Sequence, residues 1–308
     1  MIKDNSFFLS GNRTGILLIH GLTGTPNEMR GIARVLHQAG YSVYGVQLAG
    51  HCGDVEDLVN SRWEDWFNSV VAAAEKLREH TDQLFVAGLS MGSLLALKYA
   101  SAYPVDGVIA YSPTFQYDGW SIPLWSKVLA PIVLPSVHYL NICRNNTFDE
   151  AEPYGIKNEV LRSRIVQAMN SGESSEAGLP GNPWHSLFQL QRLSRNVRKN
   201  LSNITAPCLL LHAYDDDIAH RRNSELIYAK VKGPKTLIWL YNSYHMITID
   251  NDRKQVIEES IRFIEQYQHP KSSQSIHQLI TNVKLHLKKL VSFYEYCGVQ
   301  CMDANHFD

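Results

Sequence analysis

The chain has 308 residues, with 29 Lys and Arg against 30 Asp and Glu, 44% hydrophobic residues and 10% aromatic residues. This composition excludes a disordered polar chain, a collagen-like repeat and a coiled coil. The formal net charge of −1 gives no general electrostatic reason to bind nucleic acid or anionic lipid, so we predict no nucleic-acid partner.

Buried strands and amphipathic helices alternate over the first third of the chain. Four short apolar runs predict strands, at residues 15–19, 41–46, 84–87 and 107–111. Three segments with apolar residues at helical spacing predict helices, at residues 27–38, 65–80 and 90–102. The alternation is typical of βαβ units and predicts an α/β fold, with a mostly parallel central sheet flanked by helices.

The alternation stops near Ser112, and strands are predicted again only at residues 207–212 and 236–240. The intervening segment has no comparable buried strand, but it contains several Trp, Tyr and Pro residues and two helical patterns. An insertion between two strands of one sheet explains this better than a second domain, and such insertions often cover an active site. The predicted organisation is a core of residues 1–112 and 204–270 with a helical cap of residues 113–203.

The segment after Pro270 is predicted to be a helical extension of residues 271–308. Apolar residues recur there every three or four positions between Ile276 and Tyr294, which indicates an amphipathic helix. Packing on the core or on a second copy of the chain is favoured over membrane contact, so the extension is a candidate oligomer interface. Cys297 and Cys301 could share a metal or oxidise, but plain thiols are the favoured interpretation.

The cysteine content and the start of the chain favour a reduced, cytoplasmic protein. The 5 cysteines are too few and too scattered for a disulfide framework. The first ten residues lack the apolar region of a signal peptide. The most apolar stretch, residues 128–134, is far shorter than the ~20 residues of a spanning helix, so no transmembrane segment is expected.

The strongest chemical signal is Ser90 in Gly88-Leu89-Ser90-Met91-Gly92, between a predicted buried strand and an apolar helix. A nucleophile on such a tight turn has a strained backbone, and small flanking residues let the strand and the helix pass. Its hydroxyl would stand at the carboxyl edge of the sheet, where open parallel sheets bind ligands. We predict a nucleophile; the alternative is an ordinary helix N-cap serine.

A serine nucleophile needs a base, and 13 histidines compete for that role. His245 is preferred because it follows the last predicted strand and so lies at the same sheet edge as Ser90. His51 and His220 lie in loops that could approach the site. His20 also follows a strand, but it is favoured as a structural turn residue.

The base needs an acid that fixes its tautomer, and three adjacent carboxylates follow the strand that ends near Ala213. They cannot all point inward, because burying like charges together is very costly. We choose Asp216, and we expect Asp215 and Asp217 to be solvated or to cap the next helix.

Acyl transfer also needs preorganised amide donors, because negative charge develops on the carbonyl oxygen. The backbone N–H of Met91, the residue after the nucleophile, is one natural donor. The glycine-rich turn from His20 to Gly24 can supply the second, with Leu22 as the first choice.

Aromatic and apolar residues of the insertion suggest an acyl or aryl pocket, with the candidates Trp120, Trp125, Trp184, Leu187 and Phe188. The alternative is that they form a small core of the insertion itself. No metal-ligand spacing and no nucleotide-type glycine loop occurs, so we predict neither a metal nor a cofactor.

These motifs resemble the α/β-hydrolase superfamily, and within it bacterial carboxylesterases and monoacylglycerol lipases. The resemblance covers roughly residues 7–266 and includes, besides the motifs above, Gly50-His51-x-Gly53, Trp63-x-x-Trp66 and His245-x-Ile247-Thr248-x-Asp250. It implies the α/β-hydrolase fold and a catalytic set of Ser90, Asp216 and His245, with Leu22 and Met91 as oxyanion donors. Departures from the family pattern fall at Cys52, at Ala213 where a glycine commonly precedes the acid, and in the longer insertion.

The predicted function is hydrolysis of small carboxylic esters or thioesters with apolar acyl groups, through a covalent acyl-enzyme. Two alternatives stay open: an acyltransferase with the same catalytic residues, and a binding protein on the same fold, because fold alone does not determine function.

Overall fold

The computed structural model describes residues 2–149, 151–170 and 178–268. The predicted C-terminal extension, with Cys297, Cys301 and the candidate oligomer interface, lies outside these residues. The strands of the central sheet are β1 (Phe7–Leu9), β2 (Thr14–Ile19), β3 (Ser42–Val46), β4 (Gln83–Leu89) and β5 (Gly107–Tyr111). Two further strands of the chain, β6 (Thr147–Asp149) and β7 (Gly181–Pro183), form a separate small sheet, and the central sheet is completed by β8 (Cys208–Ala213) and β9 (Lys235–Leu240).

The seven strands of the central sheet lie in the order β1–β3–β2–β4–β5–β8–β9. They run parallel except for β1, which pairs antiparallel with β3 at one edge. Strands β2, β4, β5 and β8 are buried over their whole length, as parallel strands are when helices cover both faces of the sheet. The predicted fold class is confirmed. Strand β1 was not predicted, because its three residues are too few to show a pattern in the sequence.

Helices cover both faces of this sheet. In chain order they are α1 (Arg30–Gln38), α2 (Val55–Asn60), α3 (Trp63–Arg78), α4 (Met91–Ala102), α5 (Leu124–Tyr139), α6 (Glu159–Asn170), α7 (Trp184–Asn200), α8 (Arg222–Lys230) and α9 (Arg253–Tyr267). Apolar residues of α3, α4 and α7 pack on one face, and those of α1 and α9 pack on the other. The helix predicted from residue 27 begins instead with a 3-10 turn, Pro26–Met29. Among the described residues, no helix combines the length and the apolar character that crossing a membrane requires.

The segment between β5 and β8 contains α5, α6, α7 and the small antiparallel sheet of β6 and β7. Helix α5 was not expected, because it contains Pro131 and Pro135 and proline is unfavourable inside a helix. Along α7, Leu190, Leu193 and Val197 belong to the same apolar cluster as the buried residues of α4. The second half of α7 therefore packs as part of the core layer, although the predicted cap extends to residue 203.

Candidate active site

Ser90 lies on the turn between β4 and α4, at the carboxyl edge of the central sheet. Its backbone has φ 55° and ψ −117°, a conformation that residues with a side chain rarely adopt. The turn is fixed by the Ser90 N–H, which donates to the Tyr111 carbonyl oxygen on β5 at 2.9 Å. The Ser90 hydroxyl makes no capping hydrogen bond to α4 and instead donates to Thr114 Oγ1 at 3.1 Å.

The two glycines of the motif are needed because backbone atoms crowd this turn. A Cβ at Gly92 would lie 2.3 Å from the carbonyl oxygen of Ile19, on the neighbouring strand. A Cβ at Gly88 would lie 2.2 Å from the carbonyl group of Gly92. Strand and helix can therefore approach this closely only where both positions lack side chains.

We expect Gly92→Ala to lower the free energy of unfolding by about 3 kcal/mol or more, since the added methyl group meets rigid backbone. Gly31→Ala is the matched control: Gly31 lies in α1 with no atom near its added Cβ. That change should stabilise the protein by about 0.5–1 kcal/mol, because alanine favours the helix. Urea unfolding of both variants measures the difference, and a loss below about 1 kcal/mol for Gly92→Ala would contradict the crowding argument.

Asp216 and His245 follow β8 and β9, so both lie at the sheet edge that carries Ser90. His245 Nδ1 and Asp216 Oδ2 are 2.8 Å apart, and both side chains are buried. The other carboxylate oxygen, Asp216 Oδ1, accepts the N–H groups of Ile218 at 2.9 Å and Ala219 at 2.7 Å. The carboxylate is thus oriented by the backbone on one side and by the imidazole on the other.

The surroundings keep Asp216 ionised. Burial alone would raise its pKa, but the charge of His245 and the hydrogen bonds from His212 and His245 outweigh burial and hold the pKa well below its usual range. An ionised carboxylate accepts the proton of Nδ1 and leaves Nε2 of the imidazole as the basic nitrogen.

The prediction that Asp217 is solvated or caps a helix is wrong. Its side chain is buried, and Oδ2 accepts the N–H of Gly155 at 2.9 Å while Oδ1 accepts the N–H of His245 at 3.3 Å. Two adjacent carboxylates can both be buried here because each has its own donors. Asp215, by contrast, is exposed. Burial, and then the Asp216 carboxylate, raise the pKa of Asp217 to about 6.

This shift predicts a pH-dependent stability. The folded-state pKa of Asp217 lies above that of an unfolded aspartate, so the folded state binds more protons between about pH 4 and pH 6. The contribution of Asp217 is most favourable below about pH 4, and it is lost as the pH rises through 6. The free energy of unfolding falls over that window by up to about 3 kcal/mol.

In Asp217→Asn this contribution is absent, so the variant does not lose it as the pH rises. The Tm of the variant minus the Tm of the wild type should therefore become more positive from pH 4 to pH 7. Thermal unfolding of both proteins over that range measures the difference, with Asp215→Asn as the control at an exposed neighbour. A Tm difference that stays constant with pH for Asp217→Asn would contradict the assigned titration.

Sequence reasoning missed His212, a fully buried residue on β8. Its Nε2 lies 3.2 Å from Asp216 Oδ2 and 2.8 Å from the carbonyl oxygen of Ala219, while its Nδ1 lies 2.8 Å from Ser224 Oγ. A histidine inside an otherwise apolar buried strand needs polar partners, and that signal could have pointed to it.

Asp250, in the motif that begins at His245, holds the loop that carries the base. Its carboxylate accepts the N–H of Tyr244 at 3.0 Å, next to His245, and also those of Lys157 at 2.7 Å and Asn158 at 3.0 Å. Asp250 therefore ties the loop that carries His245 to the insertion.

The glycine-rich turn after β2 lies beside the nucleophile. A Cβ at Gly21 would be 3.6 Å from the Ser90 Cβ, and the Gly21 N–H donates to Glu28 Oε2 at 3.3 Å. Leu22 is buried on this turn. Met91 is the first residue of α4, where an N–H group has no acceptor within the helix. Both predicted oxyanion donors therefore lie on segments next to Ser90, and their role stays a prediction.

The other histidines considered for the site contact groups outside the set of Ser90, Asp216 and His245. His20 is buried, with Nδ1 at 2.9 Å from the Gly21 carbonyl oxygen and Nε2 accepting the Leu48 N–H at 3.3 Å. Burial, and then the nearby His51, hold the pKa of His20 well below its usual range. Burial lowers the pKa of His51 to about 4. His220 is exposed, and its Nδ1 accepts the Arg222 N–H at 3.2 Å.

The predicted pocket residues do not form one wall. Trp125, Trp184 and Leu187 line a cavity of about 450 Å³ between α5 and α7. Trp120 is 57% exposed and donates to the Asp215 carbonyl oxygen at 3.0 Å. Phe188 is buried inside the insertion and stacks on a histidine ring, as in the alternative of a small local core.

The strand order, the strained serine turn after β4 and the acid–imidazole pair after β8 and β9 define an α/β-hydrolase. Within that class the chain belongs to the serine aminopeptidase S33 family, whose model matches residues 11–252. The predicted resemblance is confirmed: the protein is a carboxylesterase- and lipase-like hydrolase.

Two curated relatives and one solved structure illustrate the similarity. The thermostable monoacylglycerol lipase of Bacillus sp. (strain H-257) is 27% identical over 263 residues, which cover 85% of this chain and 94% of the relative. The carboxylesterase of Bacillus subtilis (strain 168) is 27% identical over 273 residues, covering 86% and 98%. A structure from work on the metagenome-derived lipolytic enzymes LipS and LipT superposes with a TM-score of 0.71 at 28% identity, covering 85% of this chain and 97% of that one.

Proposed function

We propose that the protein hydrolyses esters or thioesters of apolar acyl groups through a covalent acyl-enzyme on Ser90, with His245 as the base and Asp216 as the acid. The observation that carries this proposal is the 2.8 Å contact between Asp216 and His245 at the sheet edge that holds the strained serine turn. The buried carboxylate holds the imidazole in one tautomer and stabilises its positive charge during proton transfer.

The reaction has two halves. His245 takes the proton of the Ser90 hydroxyl as its oxygen attacks the acyl carbon, and the N–H groups of Leu22 and Met91 stabilise the negative charge on the carbonyl oxygen. The imidazolium then gives its proton to the departing alkoxide or thiolate. In the second half, His245 takes a proton from water, whose oxygen attacks the acyl-enzyme, and the carboxylic acid leaves as Ser90 is reprotonated.

The names of the two curated relatives, monoacylglycerol lipase and carboxylesterase, support single-chain esters as the substrate class. Hydrolysis of p-nitrophenyl esters from acetate to palmitate tests the proposal and measures the preferred chain length.

Product analysis with added acceptor alcohol separates a hydrolase from an acyltransferase. Hydrolysis of an aminoacyl p-nitroanilide tests the peptidase activity that the family description names. Failure of a fluorophosphonate probe to label the protein would instead indicate the non-catalytic binding protein.

We expect His212→Leu to lower kcat about tenfold with little change in KM, because it removes a hydrogen bond to the charged Asp216 carboxylate. With one donor fewer, the Asp216 carboxylate is held less firmly against Nδ1 and stabilises the imidazolium less, so the acidic limb of the kcat/KM profile should move to lower pH. His212→Gln, which retains an N–H donor, should restore part of both properties. An unchanged pH profile together with a lowered Tm would mean that His212 serves only the packing of β8.

A further inference from the structure

A cavity of about 450 Å³ lies between α5 and α7, with residues 115–118 along one wall. None of the three proposed catalytic residues lines it, and its volume is typical of small-molecule sites. The inference drawn from it goes beyond the proposed function and does not depend on catalysis by Ser90.

Most of the cavity wall is apolar. The side chains come from both helices and from β6, and they include Trp125, Leu129, Leu134, Phe148, Leu187 and Leu190. Such a wall accommodates a hydrocarbon chain and offers it few hydrogen bonds.

Basic side chains also line the cavity, and they outnumber the single carboxylate among the lining residues, Asp118. Asp118 is already ion-paired with Arg222 and accepts the side-chain amide of Asn223 at 3.0 Å. Lys127 Nζ donates to a backbone carbonyl oxygen at 2.7 Å. The charge of Asp118 also acts on Arg198. One carboxylate still faces four basic residues, because Arg195 and Arg198 on α7 add to Lys127 and Arg222.

Three residues of the cavity lining each have a solvent-inaccessible side-chain polar atom with no hydrogen-bond partner among the described residues: Trp184 Nε1, Gln191 Oε1 and Arg198 Nε. These residues are seven positions apart, so they share one face of α7 over about 21 Å. The face of the Arg198 guanidinium packs on the Phe115 ring, 5.1 Å from its centroid. A guanidinium keeps its charge, and burying one of its N–H groups without an acceptor is unfavourable.

We propose that this cavity binds a single-chain amphiphile with a carboxylate head, with the head on Arg198 and the hydrocarbon chain along the wall that contains Trp184 and Leu187. A carboxylate brings negative charge to the basic part of the lining, and its planar geometry matches the edge of a guanidinium group. A neutral ester or alcohol of the same chain length fills the apolar part but brings no negative charge to the guanidinium.

Titration of the full-length protein with decanoate, followed by calorimetry and tryptophan fluorescence, tests this proposal. We expect saturable binding to the wild type and at least tenfold weaker binding to Arg198→Gln. Arg192→Gln is the matched control, because Arg192 lies on the same helix outside the cavity lining and pairs with Glu64 at 2.8 Å. Decanol should bind at least tenfold more weakly than decanoate to the wild type, and equally to the wild type and Arg198→Gln.

Ala130→Phe provides a second test that leaves the basic residues intact, since Ala130 lines the cavity and a phenyl group there would occupy it. We expect it to weaken decanoate binding, with circular dichroism confirming that each variant is folded. Absence of decanoate binding, or equal affinity in the wild type and Arg198→Gln, would overturn the proposal. So would binding that is abolished by a fluorophosphonate on Ser90 but not by Arg198→Gln, because decanoate would then occupy the proposed active site.

Discussion

Replacing Ser90 by Ala is expected to lower kcat for p-nitrophenyl esters by about 10⁶-fold, the scale on which serine-hydrolase nucleophiles act. The loss is this large because the variant cannot form the acyl-enzyme, and only substrate binding and the oxyanion donors are left to accelerate attack by water. The fold should be unaffected, because the Ser90 hydroxyl contacts Thr114 and makes no capping hydrogen bond to α4. Stopped assays at high protein concentration measure the loss of kcat. A fluorophosphonate probe measures the loss of covalent labelling at residue 90.

Ser93→Ala is the control for this experiment. Ser93 is a fully buried serine one turn further along α4, and its hydroxyl donates to the Ser90 carbonyl oxygen at 2.5 Å. We expect this variant to retain probe labelling and most of its activity, because Ser93 supports the turn without supplying the nucleophile. Retained labelling of Ser90→Ala, or labelling that is lost in Ser93→Ala but not in Ser90→Ala, would reject Ser90 as the nucleophile.

Asp216→Asn is expected to lower kcat by about 10⁴-fold, by analogy with the acid of serine proteases. The carboxylate is surrounded by donors only: the backbone N–H groups of Ile218 and Ala219 on Oδ1, and the imidazoles of His212 and His245 beside Oδ2. An amide in its place must direct its NH₂ group towards one of these sides. Directed at His245, it stabilises the tautomer in which Nδ1 is the acceptor and Nε2 carries the proton, so the base is lost.

The neighbouring carboxylates provide the controls. Asp215→Asn should leave kcat within about twofold of the wild type, because the side chain is exposed and the hydrogen bond from Trp120 goes to the backbone carbonyl, which the substitution keeps. Measured kcat values for both variants on the same ester decide the assignment. A mild effect of Asp216→Asn together with a severe effect of Asp215→Asn would show that the acid had been assigned to the wrong residue.

Some features of this protein followed from local patterns in the sequence. Continuous apolar runs indicated strands buried on both faces, and their alternation with helical patterns indicated a parallel sheet, because both arise from short-range periodicity and burial. The serine turn could also be predicted from the sequence, because Gly88 and Gly92 occupy the positions where any Cβ would collide with backbone. The order of Ser90, Asp216 and His245 along the chain then placed all three side chains at one edge of the sheet.

Other features were decided only by the tertiary structure, because they depend on contacts between segments far apart in the chain. Electrostatic repulsion suggested that only one carboxylate of the Asp triplet could be buried, yet Asp217 is buried because Gly155, 62 residues away, supplies a backbone donor. The contact of a second imidazole, that of His212, with the Asp216 carboxylate likewise depends on how β8 packs. Composition alone could not separate Trp125 and Trp184, which line a cavity, from Trp120 and Phe188, since the path of the insertion determines which side chains meet.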